Sequence, residues 1–581
     1  MKNYFNFLIL RASIYYLLVE IKKIFHYFKY LFNLTKSINI FKYLIYKKKD
    51  YLILRDNNQK KALKKNYYFW KKIIKENKEK ENILVTNLVS VKEYTMHECT
   101  IGLMLCNILK KNPVGLIKSH DFMSEIFMRS FGIDKIYSIP EGNIYSNLKF
   151  FFKSISLMCK IKKTDDLLNL KYEEIDVGKI IYNHAIRFSG IGSIKFVTPK
   201  MFYYLSQTLL VLDHSKYIFK NNSFKEVVQT ESQFIPANII FEEAIINNCN
   251  VFARIGLSNK ISVRFYKNIK NKYVNRYRFS GELFNSIYKN HKIKMLDKTK
   301  GIMKRRFLGH LADQVDHGLE VGMDHKFNIL TGLIQDYTKN DLCKKYNWSP
   351  EKPIVIIFSI DLTDGIFTDR WRMYKDNLTW IQQTLKIIKN IDHINWLIKS
   401  HPNDVKLNVF TTTEKEVSEI SKTAKNINLF PRNFGNNPLP KIISAAVTAN
   451  GSVGFEYPSL GVPTITCGDS IYAGRGFNHE PSSEAEYIKL LKNVDTLPPL
   501  SDEEINKAKT FIYIYSVLTK VNTSLGEGLQ KIENIKDIDF WKNLETRLEN
   551  YELEKDTFYK NFKIQLEKSD RHTINYDLLK N

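Results

Sequence analysis

The sequence predicts an α/β protein of two Rossmann-like domains, with a basic helical extension in front and a helical tail behind. Three observations carry this. Short apolar runs of four to eight residues alternate with amphipathic helical stretches across residues 81–260, and again across 351–495. ILVTNLV (83–89), KPIVIIFSI (352–360) and INWLIK (394–399) read as buried strands, and strand–helix–strand at this spacing makes a parallel sheet. The chain has 581 residues and 44% hydrophobic content, enough for two cores plus extensions.

Residues 1–80 are expected to form a basic, aromatic, helical extension. They hold 20 Lys/Arg against 5 Asp/Glu, a net +15 out of +27 for the whole chain. The run YFNFLILRASIYYLLV is apolar but carries Arg11 in its middle, and no small-residue cleavage site follows. It is shorter than the ~20 residues of a membrane span. IKKIFHYFKYLF and NIFKYLIYKKK set Lys beside aromatic and aliphatic residues. That pattern fits an interfacial helix, a helical layer packed on the protein's own body, or both.

In the first domain, 81–260, the strand 83–89 is followed by a helix over HECTIGLMLCNILKKN and a strand at VGLIK. Further strands are expected at YLSQTLLVL (204–212), EVVQT (226–230) and NVFARIG (250–256), with a helix opened by Pro236 between the last two and a helical excursion over 151–190. Residues 261–350 read as a connecting region. The second domain, 351–495, runs through KPIVIIFSI, a Trp-bearing helix, INWLIK, a short strand at NINLF, and AVTANGS and PTITCGD. The tail, 496–581, is charged and helical in pattern and is expected to pack across both domains.

Several chemistries are excluded. The six cysteines are scattered without a CxxC pair, which argues against a zinc ribbon and a disulfide framework and suits a reducing compartment. There is no P-loop, no strand-linked GxGxxG and no GxSxG. Asp313, Asp316, His317, Asp324 and His325 have ligand chemistry but no defined metal spacing, so no metal site is expected, and dependence on a divalent ion stays open. The basic excess sits in the apolar, aromatic N-terminus with no nucleic-acid motif, so the expected anionic partner is a membrane surface or a phosphorylated small molecule.

The candidate site residues follow strand ends, where open α/β sheets bind ligands. Asn450-Gly451-Ser452 break a strand and open a helix carrying Glu456, which makes an anion corner of backbone N–H groups and helix dipole. Lys399 and His401 in Lys-Ser-His-Pro lie at the end of INWLIK and can donate to phosphate oxygens. Asp361 and Asp364 follow KPIVIIFSI and can bind substrate hydroxyls or a divalent ion, or cap the next helix. Arg475, after the last strand, can pair with a phosphate. In the first domain His97 (with Glu98), His120-Asp121, Glu141 and Glu231 are candidate bases, and the pattern does not choose between them.

IVIIFSIDLTDGIF, DNLTWIQQTLKIIK and INWLIKSHPND, followed by ANGSVGFEYPSLGVPTITCGDSIYAGRGF, resemble the C-terminal domain of bacterial capsule polysaccharide glycosyltransferases. The resemblance spans about 170–490 and is strongest over 352–478. It implies the GT-B fold, two Rossmann-like domains facing a cleft that holds a nucleotide-sugar donor, CMP- or UDP-linked, with no tightly bound cofactor. By that likeness His401 touches the donor phosphate, and Glu456 with Ser452 holds the nucleotide. Thr363-Asp364-Gly365-Ile366 departs from the family's usual His or Pro before the Trp helix, which leaves the sugar undefined. The implied activity is sugar transfer, of hexosyl, Kdo or sialyl type, to a lipid-linked or growing surface polysaccharide, by an enzyme peripheral on the inner face of the cytoplasmic membrane. The alternatives are a nucleotide-sugar 2-epimerase, a CDP-polyol phosphotransferase, and a non-catalytic scaffold of a polysaccharide assembly complex.

Overall fold

The computed structural model describes residues 2–37, 54–74, 81–139, 144–257, 260–266, 279–307, 337–366, 372–401, 403–406, 409–432, 434–526 and 538–580. The chain divides into two compact units. The first comprises Met1–Ala185, Lys195–Lys272 and Lys520–Asn575; the second comprises Ile186–Ile194, Tyr273–Thr519 and Tyr576–Asn581. Each is built on a largely parallel sheet, as the alternating pattern requires.

The first unit contains strands β1 (Asn82–Asn87), β2 (Asn112–Lys118), β3 (Ile136–Ile139), β4 (Phe224–Val228), β5 (Asn250–Leu257) and β6 (Lys260–Tyr266). With β12 (Val521–Asn522) they form a seven-stranded sheet in the order β12-β6-β5-β4-β1-β2-β3. β1 to β5 run parallel, whereas β6 turns back antiparallel on β5 and β12 antiparallel on β6. β1 is central and its Ile83, Leu84 and Val85 are fully buried. The helix Lys92–Leu109 lies so close to it that a Cβ on Gly102 would stand 2.4 Å from Val85 Cγ2, a position only glycine fills.

The second unit contains β7 (Ile354–Phe358), β8 (Asn395–Lys399), β9 (Ile427–Leu429), β10 (Ala445–Thr448) and β11 (Thr464–Thr466). Their order is β11-β10-β7-β8-β9, all parallel. The chain lays down β7, β8 and β9 in one direction and then returns to the other side of β7 for β10 and β11. Winding therefore reverses between β7 and β10. Both faces of β7 are buried, Val355 and Ile357 in one apolar cluster and Ile354 and Ile356 in the other.

Three expectations are corrected. YLSQTLLVL is not a strand; it is the middle of the helix Pro199–Lys220, 22 residues long and capped by Thr198. A continuous apolar run has no period to separate strand from buried helix, and length decides it. Residues 261–350 are not merely a connector, because β6 lies there and extends the first sheet. β3 had no counterpart in the sequence reading, being four residues long and only half buried. The tail is not wholly helical: Lys520–Asn575 belongs to the first unit and supplies its edge strand, while Asp502–Tyr513 belongs to the second.

The N-terminal helix Lys2–Ser37 does form a helical layer. Leu8 and Ala12 are buried, Tyr16 stacks on Phe151 at 4.6 Å, and Tyr15 meets Tyr203 edge-on at 6.1 Å. Its opposite face carries Leu10, Ile14, Leu17, Ile21, Phe25 and Phe28 exposed to solvent. Among the described residues no helix is long and apolar enough to cross a membrane.

Candidate functional site

The reversal point between β7 and β10 gathers the loops after β7, β8 and β10, and most second-domain candidates lie on them. Asp361, on the loop after β7, is the hub. Its Oδ2 accepts from Arg187 Nη1 at 2.9 Å and from Asn403 Nδ2 at 2.8 Å. Its Oδ1 accepts from the backbone N–H and the hydroxyl of Thr363, both at 2.9 Å, and its carbonyl accepts from Asn377 Nδ2 at 2.7 Å. Burial alone would raise its pKa. The Asn403 hydrogen bond, the Arg187 charge and the Thr363 N–H outweigh that and hold it below the ordinary carboxylate value. Asp361 is thus an ionised fixing point that ties the β7 loop to the β8 loop.

Asp364, three residues on, is pushed the opposite way. Burial raises its pKa and the charge of Asp361 raises it further. Asp364 also accepts the Gly365 N–H at 2.9 Å, so the two carboxyls are shifted in opposite directions: Asp361 organises the loops, while Asp364 is held by its own turn. Asp404 accepts the Thr413 N–H at 2.9 Å and is raised to about 6 by burial.

On the β8 loop, Asn403 N–H donates to His401 Nδ1 at 3.2 Å. With Nδ1 accepting, the neutral ring carries its proton on Nε2 and presents a donor there. Lys399 Nζ donates to Asn436 Oδ1 at 2.9 Å and lies 4.9 Å from the centre of the Phe430 ring. Pro402 lies outside the described residues.

The β10 corner is held from behind. Thr448 Oγ1 accepts the Gly451 N–H at 3.2 Å, and Tyr472 Oη donates to the Gly451 carbonyl at 2.7 Å. A Cβ on Gly454 would sit 2.0 Å from Tyr472 Oη, so glycine is required for this approach. The helix that Ser452 opens is one turn, Val453–Glu456, continued by a 3₁₀ turn at Pro458–Leu460. The full helix dipole expected at Asn450-Gly451-Ser452 is therefore not there, because Pro458 prevents a longer helix; individual N–H groups are what the corner offers. Glu456 is buried on this turn. Arg475 donates to the Phe279 carbonyl and stacks over Phe284 at 5.1 Å, so its guanidinium meets the segment around Gly281–Asn290.

The first unit reverses winding between β1 and β4. There Glu98, on the helix after β1, accepts the Thr230 N–H from the loop after β4 at 2.9 Å. Glu98 is 2% exposed and its Oε2 is buried with no hydrogen-bond partner among the described residues. Burial raises its pKa from 4.5 to about 8. Glu231 lies beside it with its carboxylate accepting the N–H groups of Ser232 (2.8 Å) and Gln233 (2.5 Å). His97 is 1% exposed, inside the helix packing. Glu141 lies outside the described residues, as do Asp313, Asp316, His317, Asp324 and His325. No cluster with metal-ligand composition occurs among the described residues.

The structure thus brings Asp361, Asp364, His401, Gly451 and Ser452 to one end of the second sheet. Arg187 and Asn403 were not anticipated. Arg187 stands 174 residues before its partner, and nothing in its local pattern distinguishes it from a solvated helix arginine. Asn403 follows the His-Pro pair directly, and an Asn at that step is the one local signal that could have found it.

No protein-family model and no curated protein matches the sequence. Among solved structures, the KpsC β-Kdo 2,7-transferase of Thermosulfurimonas dismutans is similar at 12% identity and TM-score 0.29, over 57% of this chain and 90% of that one. The β-Kdo 2,4-transferase of the same organism is similar at 11% and 0.27, over 51% and 85%. The UDP-GlcNAc 2-epimerase of Neisseria meningitidis is similar at 10% and 0.18, over 81% and 98%.

Proposed function

We propose that the chain is a GT-B-type glycosyltransferase that moves a sugar from a nucleotide-activated donor onto a lipid-linked or growing bacterial surface polysaccharide. The observation that carries this reading is the convergence of three strand-end loops at the winding reversal of the second sheet, fixed by Asp361 and cornered by Gly451. Such a reversal point is where doubly wound sheets hold nucleotides. His401 Nε2 and the backbone N–H groups of the β10 corner are donors for the donor phosphate. Asp364 and Glu456 suit ribose or sugar hydroxyls. Glu98, with a pKa near 8, is the first unit's best-tuned proton acceptor for an attacking hydroxyl, with Glu231 beside it.

Thermal melts of the full chain with CMP-, UDP-, GDP- and CDP-linked sugars test this. A donor at 100 times its Kd stabilises by ~2.7 kcal/mol, and His401→Ala should abolish that shift and sugar transfer together. Absence of a shift with every donor, or sugar isomerisation without an acceptor, overturns the proposal.

Peripheral attachment to an anionic bilayer belongs to the same reading. The exposed face of the helix Lys2–Ser37 is aliphatic and aromatic over at least six turns, and it lies in the most basic part of the chain. Tyr145 and Phe152 add exposed aromatics on the neighbouring helix Ile144–Met158. Flotation with anionic vesicles is the expected result. A lipid-free dimer that ignores vesicles would show instead that a second copy covers this face.

A further inference from the structure

The first unit contains a cavity of about 690 Å³ at the carboxyl ends of β1, β2 and β3. Its floor is made by the strand-end residues Ser90, Lys118, His120 and Ile139, and one wall by the N-terminal helix. From that helix Val19, Lys22, Lys23, His26 and Tyr27 face the cavity, at the i, i+3, i+4, i+7, i+8 spacing of a single helix face. The exposed apolar residues Leu17, Ile21, Ile24 and Phe28 occupy the opposite face of the same helix.

The lining is both basic and apolar. Four lysines, Lys22, Lys23, Lys92 and Lys118, and one carboxylate, Asp121, line the cavity; Lys23 is already paired with Glu20 at 3.1 Å and lies over the Tyr203 ring. Asp121 is itself engaged as a helix cap, accepting from the Ser124 N–H at 3.1 Å and its hydroxyl at 2.8 Å. Tyr27 lies against His120 at 4.7 Å, and Met123, Val211 and Ile235 add apolar surface. Two groups lack counterparts. Lys118 is partly buried with no ion pair or hydrogen bond of its ammonium group among the described residues, and Gln207 Nε2 is buried in the wall with no hydrogen-bond partner. Burial pulls the Lys118 pKa down, and Asp121 and Glu231 only partly offset that, so an anion is what the site lacks.

We propose that this cavity binds a phosphate group carried on an apolar chain, the phosphate against Lys118 and Gln207 and the chain against the tyrosine and aliphatic lining. The inference rests on the sugar-transferase reading and gives its acceptor a chemical class, a phosphorylated amphiphile. The N-terminal helix then has two functions on two faces. One face completes the phosphate site, and the other meets the bilayer in which such an amphiphile resides.

The test is calorimetric titration of the full-length protein with octyl phosphate, inorganic phosphate and octyl glucoside. Octyl phosphate should bind at least tenfold more tightly than either of the others. Lys118→Met keeps the stem and removes the charge, and should weaken octyl phosphate about tenfold or more. Gln207→Leu should weaken it several-fold. Unchanged affinity in Lys118→Met overturns the site. Equal binding of inorganic phosphate assigns a free phosphate and overturns the amphiphile, and equal binding of octyl glucoside removes any role for the charge. Nucleotide-sugar melts on the same preparations separate the two claims. Donor binding without octyl phosphate binding sinks this inference alone, whereas octyl phosphate binding without any donor binding supports the site and sinks the transferase.

Discussion

Replacing Glu98 with Gln should make the protein more stable at pH 8 and leave it nearly unchanged at pH 5. The carboxyl is 2% exposed, one oxygen accepts the Thr230 N–H, and the other has no partner among the described residues. Its pKa rises from 4.5 to about 8 because burial penalises the charge. Between those two values the folded chain keeps a proton that the unfolded chain has released. Stability therefore falls as pH rises through this window and levels off above it. At ~1.4 kcal/mol per pH unit the full window amounts to about 5 kcal/mol, and the part between pH 5 and pH 8 to roughly 3–4 kcal/mol. These are upper values, since local opening lets water reach the charge. Gln keeps the acceptor for Thr230 and never ionises. Urea unfolding of both proteins at pH 5, 6, 7 and 8 reads the difference directly. A gap between the two that stays flat with pH would refute the account of Glu98 as a carboxyl held protonated by burial. A gap that grows while transfer activity disappears is the result expected if the same proton is the one exchanged with an acceptor hydroxyl.

Three further predictions concern packing and charge. Gly454→Ala drives a Cβ to 2.0 Å from Tyr472 Oη, so the hydrogen bond to Gly451 must break; donor-induced thermal stabilisation should be lost while secondary structure by circular dichroism persists. Asp361→Asn keeps the shape but leaves Arg187 without its counter-charge, and should cost about 1–3 kcal/mol in denaturant unfolding and weaken donor binding. Lys111 bridges Glu81 and Glu226, each at 2.8 Å, and Glu226 is buried. Lys111→Met should therefore destabilise the first unit by about 3–5 kcal/mol at pH 7 in denaturant unfolding, because it leaves the buried Glu226 without its counter-charge.

The sheets were legible where strands are long, apolar and flanked by turn residues. β1, β7 and β8 fall where Ile, Leu and Val cluster, and the Asn450–Ser452 break falls where Gly interrupts such a run. The helix Pro199–Lys220 was not legible, because apolar residues on every side erase both periods. β12 was not legible either: two residues have no pattern, and only the free edge of β6 makes Val521 a strand. The site divides along the same line. His401 and Gly451 announce themselves by neighbours in sequence. Arg187 acquires meaning only when folding sets it against Asp361, and the raised pKa of Glu98 is a property of its enclosure, which no residue string contains.

The chain's route between the two units also sets an order of assembly. All five strands of the second sheet have been synthesised by Thr466, whereas the first sheet lacks its edge until Val521 emerges. Until then the whole outer edge of β6 is unpaired, and its Val263–Phe265 stretch waits further for Arg571–Thr573; an open edge is the kind of surface that recruits stray strands. The half of the protein that leaves the ribosome first is thus the half whose sheet closes last, and a fragment cut anywhere before residue 520 carries that open edge permanently.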